Sequence, residues 1–386
     1  MPEAHVEPRP GQSRLIPSGL IGMFFLVLGI EFAIAKHDNN FTTPMHWDWR
    51  VIGKGATRPS RVAGRNVLIF GDSLLKFSLM PSIIEDRSGK KVYNFALHTG
   101  QTSSSYFMLD RALRAGARPS AVVLDLTPHM LMHPATVNKH LWSELLTARE
   151  CFDLAGSMRD PDFFLSIMLA ELFTSYKERH EIRASIMAAV RGESSSRRHQ
   201  IAIFQRNWRQ NDGAQLMCDS TVAPPIDVDY WANMLYSKWD PNPINLGYLD
   251  RFLKLARSHQ ITVFWVLPPI HPIVQTKTDE SGFNESYTHF VEQVLARFPE
   301  TMVVDARHSG FQADEFMDGV HLDRNGAVRL SEALGKILGN PVPSDTINQW
   351  VTLEAGQAGP VNLKIEDICQ STTYLEEKDA ESRRVR

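Results

Sequence analysis

Ser73, His321 and Asp318 are the three residues whose types and settings suit them to do chemistry together. Ser73 ends an apolar run, Asn66-Val-Leu-Ile-Phe-Gly-Asp-Ser73, in which a buried strand leads straight into a tight turn. Such a turn raises one hydroxyl above a sheet edge. His321 closes the segment Asp318-Gly-Val-His321, just ahead of a helix for which Asp323 is a good N-cap. A serine hydroxyl is a weak nucleophile at neutral pH, so it needs an adjacent base, and the base needs a third group to fix its tautomer. The three residues supply nucleophile, base and orienting carboxylate.

The elements that must position them follow from hydrophobic periodicity. Apolar runs predict strands at 66–70, 91–95, 121–126, 261–267 and 302–305. Helical patterns fall at 80–87, after Ser103 or Ser104, and at 247–258, 284–296 and 326–338. Buried strands alternating with amphipathic helices predict a parallel sheet covered on both faces, with sites at the carboxyl ends of the strands. Ser73, Gly100, Thr127 to His129 and His271 all fall at such ends. If Ser73 attacks an acyl carbon, backbone N–H groups must receive the charge that develops on the carbonyl oxygen. Ser73 and Gly100 are the natural donors.

Through Gly71-Asp72-Ser73-Leu74 and Asp318-Gly319-Val320-His321, in that order, the chain resembles the SGNH (GDSL-type) esterase and acyltransferase family over about residues 64 to 340. The resemblance implies an α/β, three-layer, flavodoxin-like SGNH hydrolase fold with a parallel sheet. It also implies that Ser73 attacks an ester carbonyl with His321 as base and Asp318 orienting it, without cofactor or metal. The sequence departs from the family after the third strand. There the family carries an oxyanion asparagine in a Gly-x-Asn-Asp segment, and this chain has Asp125-Leu-Thr-Pro-His129. Asn94 and His129 are the candidate substitutes, and His271 is a candidate lining residue.

The function implied is an exported, membrane-anchored serine esterase or O-acyltransferase. Its substrates are O-acyl (acetyl-like) esters of envelope or extracellular polysaccharide, handled through an acyl-serine. The alternative is a non-catalytic SGNH-fold protein that binds glycan or docks on a membrane-bound acyltransferase. A third reading, a metal-dependent hydrolase using His98, His129, His271 and His321, finds no zinc-type spacing to support it.

Composition is consistent with this and excludes other classes. The 386 residues are 43% hydrophobic, enough to build a core. The 41 basic and 44 acidic residues are interspersed, so no basic surface argues for nucleic acid. Cys151, Cys218 and Cys369 form no Cys-x-x-Cys pair and are expected as free or buried thiols, with one disulfide open to them if the domain is exported.

Residues 15 to 35 are almost wholly apolar and suit a transmembrane anchor. A cleaved signal peptide, through Ala33-Ile34-Ala35, and a buried core helix are the other readings. The expected layout is a cytoplasmic N-terminus (1–14), the anchor (15–35), a linker (36–63), the domain (64–340) with a helical insertion at about 135–244, and a polar tail (341–386) without order. The domain then lies outside the cytoplasm, in the periplasm. Trp47 and Trp49 in the linker read equally as interfacial anchors or as a lid on the domain, and the insertion as a lid or one wall of a pocket.

Overall fold

The computed structural model describes residues 18–36, 42–192, 197–222, 226–227, 229–231, 238–340, 349–354, 356 and 365–384. The expectation for residues 1–14 lies outside them. Six parallel strands form one sheet: β1 (Val67–Phe70), β2 (Val92–Asn94), β3 (Ala121–Asp125), β4 (Thr262–Leu267), β5 (Thr301–Asp305) and β6 (Gln349–Thr352). Their order is β2-β1-β3-β4-β5-β6, with Ile69 of β1 opposite Asn94 on one side and Val123 on the other.

Because side chains alternate across a strand, the apolar runs serve two cores at once. Leu68, Phe70, Val122, Leu124, Val263 and Trp265 pack under helices that include Thr102–Arg114, Pro243–Ser258 and Phe283–Arg297. Val67, Ile69, Val123, Phe264, Val266 and Val304 pack under Pro81–Ser88 and Arg324–Gly339. The molecule is thus α/β, with helices on both faces of the sheet. The chain leaves β1 for β2 on one side and returns to β3 on the other. That reversal opens a crevice beyond the ends of β1 and β3.

The structure corrects three expectations about the flanking segments. Residues 44–55 and 59–62, expected as linker, are helical: Thr43 accepts from the His46 N–H at 3.2 Å and Pro44 starts the helix Pro44–Gly55. Trp49 is fully buried, edge-on to Trp142 at 5.0 Å, and its indole N–H donates to the His98 carbonyl at 2.8 Å. Trp47 packs edge-on to Trp208, so both tryptophans belong to the domain. The polar tail also carries structure, with β6 pairing β5 in parallel and Ile368–Arg384 forming a helix. Finally, Cys218 and Cys369 form a disulfide across 151 residues, which leaves only Cys151 free. This bond ties the last helix to the body, a restraint that composition does not reveal.

The helix Ser18–Lys36 is apolar and long enough to cross a membrane, and none of its most apolar stretch is buried in the protein. Between β3 and β4 the insertion is helical, as expected, and includes the helices Pro161–Leu172 and Arg179–Val190.

Candidate active site

β1 delivers its chain into the turn Gly71-Asp72-Ser73. Gly71 has φ of +142°, and a Cβ there would lie 1.8 Å from the Asp125 Oδ1, so no side chain fits. Asp72 caps the helix Ser73–Ser78, its Oδ1 accepting from the Leu74 N–H at 2.7 Å. The Thr127 hydroxyl donates to the Asp72 Oδ2 at 2.6 Å, and the Asp72 N–H donates to the Asp125 Oδ1 at 2.8 Å. The ends of β1 and β3 are therefore laced together beneath the serine. Burial raises the pKa of both carboxyls, and the nearby Asp72 charge pushes Asp125 well above the usual carboxylate range.

The second half of the site is a loop closed on itself. Phe316 and Leu322 form an antiparallel bridge, and the Met317 N–H donates to the His321 carbonyl at 2.9 Å. Inside it, the Val320 and His321 N–H groups donate to Asp318 Oδ1 at 2.9 and 2.8 Å. Asp318 Oδ2 then meets the His321 Nδ1 at 2.8 Å, and the His321 Nε2 meets the Ser73 Oγ at 2.8 Å. Burial opposes ionisation of Asp318, but the hydrogen bonds it accepts, from the His321 ring first and the Val320 and His321 N–H groups, outweigh it and hold the carboxyl below its ordinary range. With Asp318 ionised, the His321 Nδ1 carries the proton and Nε2 faces the serine as acceptor. That is the arrangement in which an imidazole takes a hydroxyl proton.

Ser73 and His321 border a cavity of about 250 Å³ between the ends of β1, β3 and β4. Leu74, Met130, Leu267, Ile270 and Phe283 make it largely apolar, and Tyr287 and Arg307 stand on its wall. Arg307 is neutralised by Asp305, which its guanidinium meets at 2.7 Å. Trp231, from the insertion, lies against Gly319 with its ring 6.3 Å from that of His321. The insertion thus contributes a wall.

Of the accessory candidates, only His129 lines this cavity. Burial, and secondarily His133, lower its pKa to about 4, so it is a neutral imidazole at pH 7. Three others are corrected. Asn94 is fully buried, its amide donating to the carbonyls of Leu75 and Leu79 and its oxygen accepting from the Ala96 N–H. The Gly100 N–H donates to the Leu97 carbonyl at 3.1 Å, and the glycine is needed because a Cβ would lie 2.2 Å from the Gly71 oxygen. His271 is buried against Phe316, and its N–H donates to the Gly319 carbonyl at 3.1 Å, bracing the Asp318 loop from behind. Ser73, as the first residue of its helix, keeps its own N–H outside the helical ladder.

Sequence reasoning missed the support of the helix that begins with Ser73. Lys76 is fully buried and pairs with Asp48 at 2.7 Å, and Asp48 also meets the His98 Nδ1 at 3.0 Å. Phe77 stands between the two histidines, 4.9 Å from the His98 ring and 5.2 Å from that of His321. His98 therefore lies behind the site, and His98, His129, His271 and His321 do not converge on one point. The only signal in the sequence is a single lysine set in Leu-Leu-Lys-Phe.

The family model described as "Protein of unknown function (DUF1574)" matches residues 57–327. The chain belongs to that family. The matched stretch contains Ser73, Asp318 and His321, and it excludes the apolar helix and Asp48. No curated protein matches the chain.

Proposed function

We propose that the protein is a membrane-anchored serine esterase or O-acyltransferase of the SGNH type. It acts on small, acetyl-like O-acyl esters of envelope or extracellular polysaccharide. The observation that carries the reading is the continuous line Ser73 Oγ, His321 Nε2, His321 Nδ1, Asp318 Oδ2, with 2.8 Å at each hydrogen bond. The crevice position, the parallel sheet and the Gly-Asp-Ser-Leu turn support the SGNH assignment. The apolar cavity of about 250 Å³ suits a short acyl group, and the disulfide fits an oxidising compartment outside the cytoplasm.

In the first step the Ser73 Oγ bonds to the acyl carbon as its proton passes to the His321 Nε2, and the carbonyl oxygen takes the negative charge. The Ser73 N–H and the neutral His129 ring are the donors available to that oxygen, in place of the family's asparagine. Collapse breaks the bond to the sugar oxygen, which leaves with the proton from His321, and an acyl-serine remains. Water or a second sugar hydroxyl, deprotonated by His321, then removes the acyl group.

The test is a fluorophosphonate, which phosphonylates only activated serines. Adduct on Ser73 that disappears in Ser73→Ala and falls sharply in His321→Ala is the expected result. A folded protein that takes up no adduct overturns catalysis and leaves a glycan-binding or acyltransferase-docking role for the same fold.

A further inference from the structure

The insertion carries an apolar surface that the domain leaves uncovered. From Phe163 to Leu172 the helix Pro161–Leu172 has a single charged residue, Glu171. Phe163, Ile167 and Ala170 are buried in the domain, but Leu165, Leu169 and Leu172 point outward, Leu172 with 74% of its surface exposed. A helix apolar on all sides is stable where none of its faces meets water. The helix Arg179–Val190 buries none of its residues, and Ile186, Met187 and Val190 lie exposed beside Arg179, Arg183 and Arg191. Arg183 lies on the same face one turn before Ile186 and Met187, so the apolar patch fills the last turns of the helix with an arginine at each end, a mixture that suits the headgroup region of a bilayer.

Between these two helices the turn Thr174–Lys177 touches the N-terminal apolar helix. The Ser175 N–H donates to the Glu31 carboxylate at 3.1 Å, and the Ser175 hydroxyl donates to the same group. Glu31 precedes the helix end at Lys36 by five residues, about 7 Å along a helix axis at ~1.5 Å per residue. The turn therefore reaches below the end of the apolar helix, to a depth comparable with the ~5–10 Å at which interfacial helices settle.

We propose that Leu165, Leu169, Leu172, Ile186, Met187 and Val190 form a face that rests in the outer leaflet of the bilayer crossed by Ser18–Lys36. The domain is then held against the membrane at two places. One of them is the anchor, and the other is the insertion that also walls the cavity. The proposal rests on the membrane-spanning reading of Ser18–Lys36 and is independent of the chemistry assigned to Ser73. Continuity with that helix selects lipid as the occupant.

The full-length chain is placed in phosphatidylcholine nanodiscs with an environment-sensitive fluorophore on one introduced cysteine. The sites are Leu169→Cys, Val190→Cys, Phe25→Cys inside the anchor, and Lys254→Cys on a solvent-facing helix. Brominated phosphatidylcholine is expected to remove most of the fluorescence at 25, 169 and 190 and little at 254, with iodide giving the reverse order. Quenching at 25 but not at 169 and 190, with iodide reaching them as it reaches 254, overturns the proposal and leaves the anchor intact. Protection of 169 and 190 from both quenchers also overturns it, because a second protein surface would then cover them. No quenching at 25 rejects the anchor separately.

Discussion

The Nζ of Lys76 lies 2.7 Å from the Oδ1 of Asp48, and neither side chain has any exposed surface. Lys76 stands one turn along the short helix that begins with Ser73, and Asp48 comes from the helix Pro44–Gly55 that precedes the sheet. The Lys76 ammonium also donates to the Ala96 carbonyl at 3.3 Å. An ion pair sealed from water holds the helix that begins with Ser73 against the segment that follows the apolar helix. Burial lowers the lysine pKa, and the Asp48 charge opposes that shift.

Removing one partner of this pair should cost far more than removing both. Asp48→Asn leaves a buried cation without its counter-charge, a change typically worth about 3–5 kcal/mol, whereas apolar replacement of a whole buried pair is often neutral or favourable. Urea titration should show Asp48→Asn strongly destabilised and Asp48→Leu/Lys76→Met close to the parent. If the two variants lose equal stability, the pair is not what secures the helix.

Asp318→Asn should leave the fold intact and damage the chemistry. An amide in place of the carboxylate no longer holds the Nδ1–H tautomer of His321, and in a serine triad this loss costs about three to four orders of magnitude in kcat. Fluorophosphonate labelling rates compared with Asp318→Ala give the measurement. A loss below tenfold would show that Asp318 only braces its loop.

Asp125 should behave as a neutral group. Its raised pKa means that the folded protein retains a proton that the unfolded chain releases above pH 3.8, so this group favours folding in acid and disfavours it progressively as pH rises through the folded value. Asp125→Asn keeps an acceptor for the Asp72 N–H without that penalty and should gain on the parent as pH rises. Asp125→Ala orphans the N–H and should cost about 1–3 kcal/mol. Thermal melts of both variants across pH decide it.

His46 and His129 have pKa values lowered by burial from 6.5 to about 4. Between these values the unfolded chain binds protons that the folded chain does not, so stability should be full above pH 6.5 and fall toward pH 4. His46→Asn should flatten that part of the melting profile. An unchanged slope would mean that His46 titrates normally.

Strand positions were legible because parallel strands buried on both faces read as unbroken apolar runs, and each of the five anticipated strands lies within a residue or so of its place. The two halves of the Ser73 and His321 pair were legible because each sits in a compact motif beside a regular element. The failures share a cause. Gly100 and Asn94 occupy the right strand ends, but whether an N–H or an amide remains free depends on partners such as the Leu97 and Leu75 carbonyls that spacing does not reveal. Asp48 and Lys76 lie 28 residues apart with no motif to link them, and only the fold brings them together. β6 and the last helix escaped notice because their order depends on the β5 edge and on Cys218, both distant in the chain.

The bond between Cys218 and Cys369 closes a loop that holds Asp318 and His321 and leaves Ser73 outside. A ribosome delivers Ser73 early and its base 248 residues later, with Cys369 later still. On the proposed chemistry, the serine stays an ordinary alcohol until residue 321 has been made and folded against it. On the same chemistry, a product that ends before His321 inherits the serine without the base that would activate it.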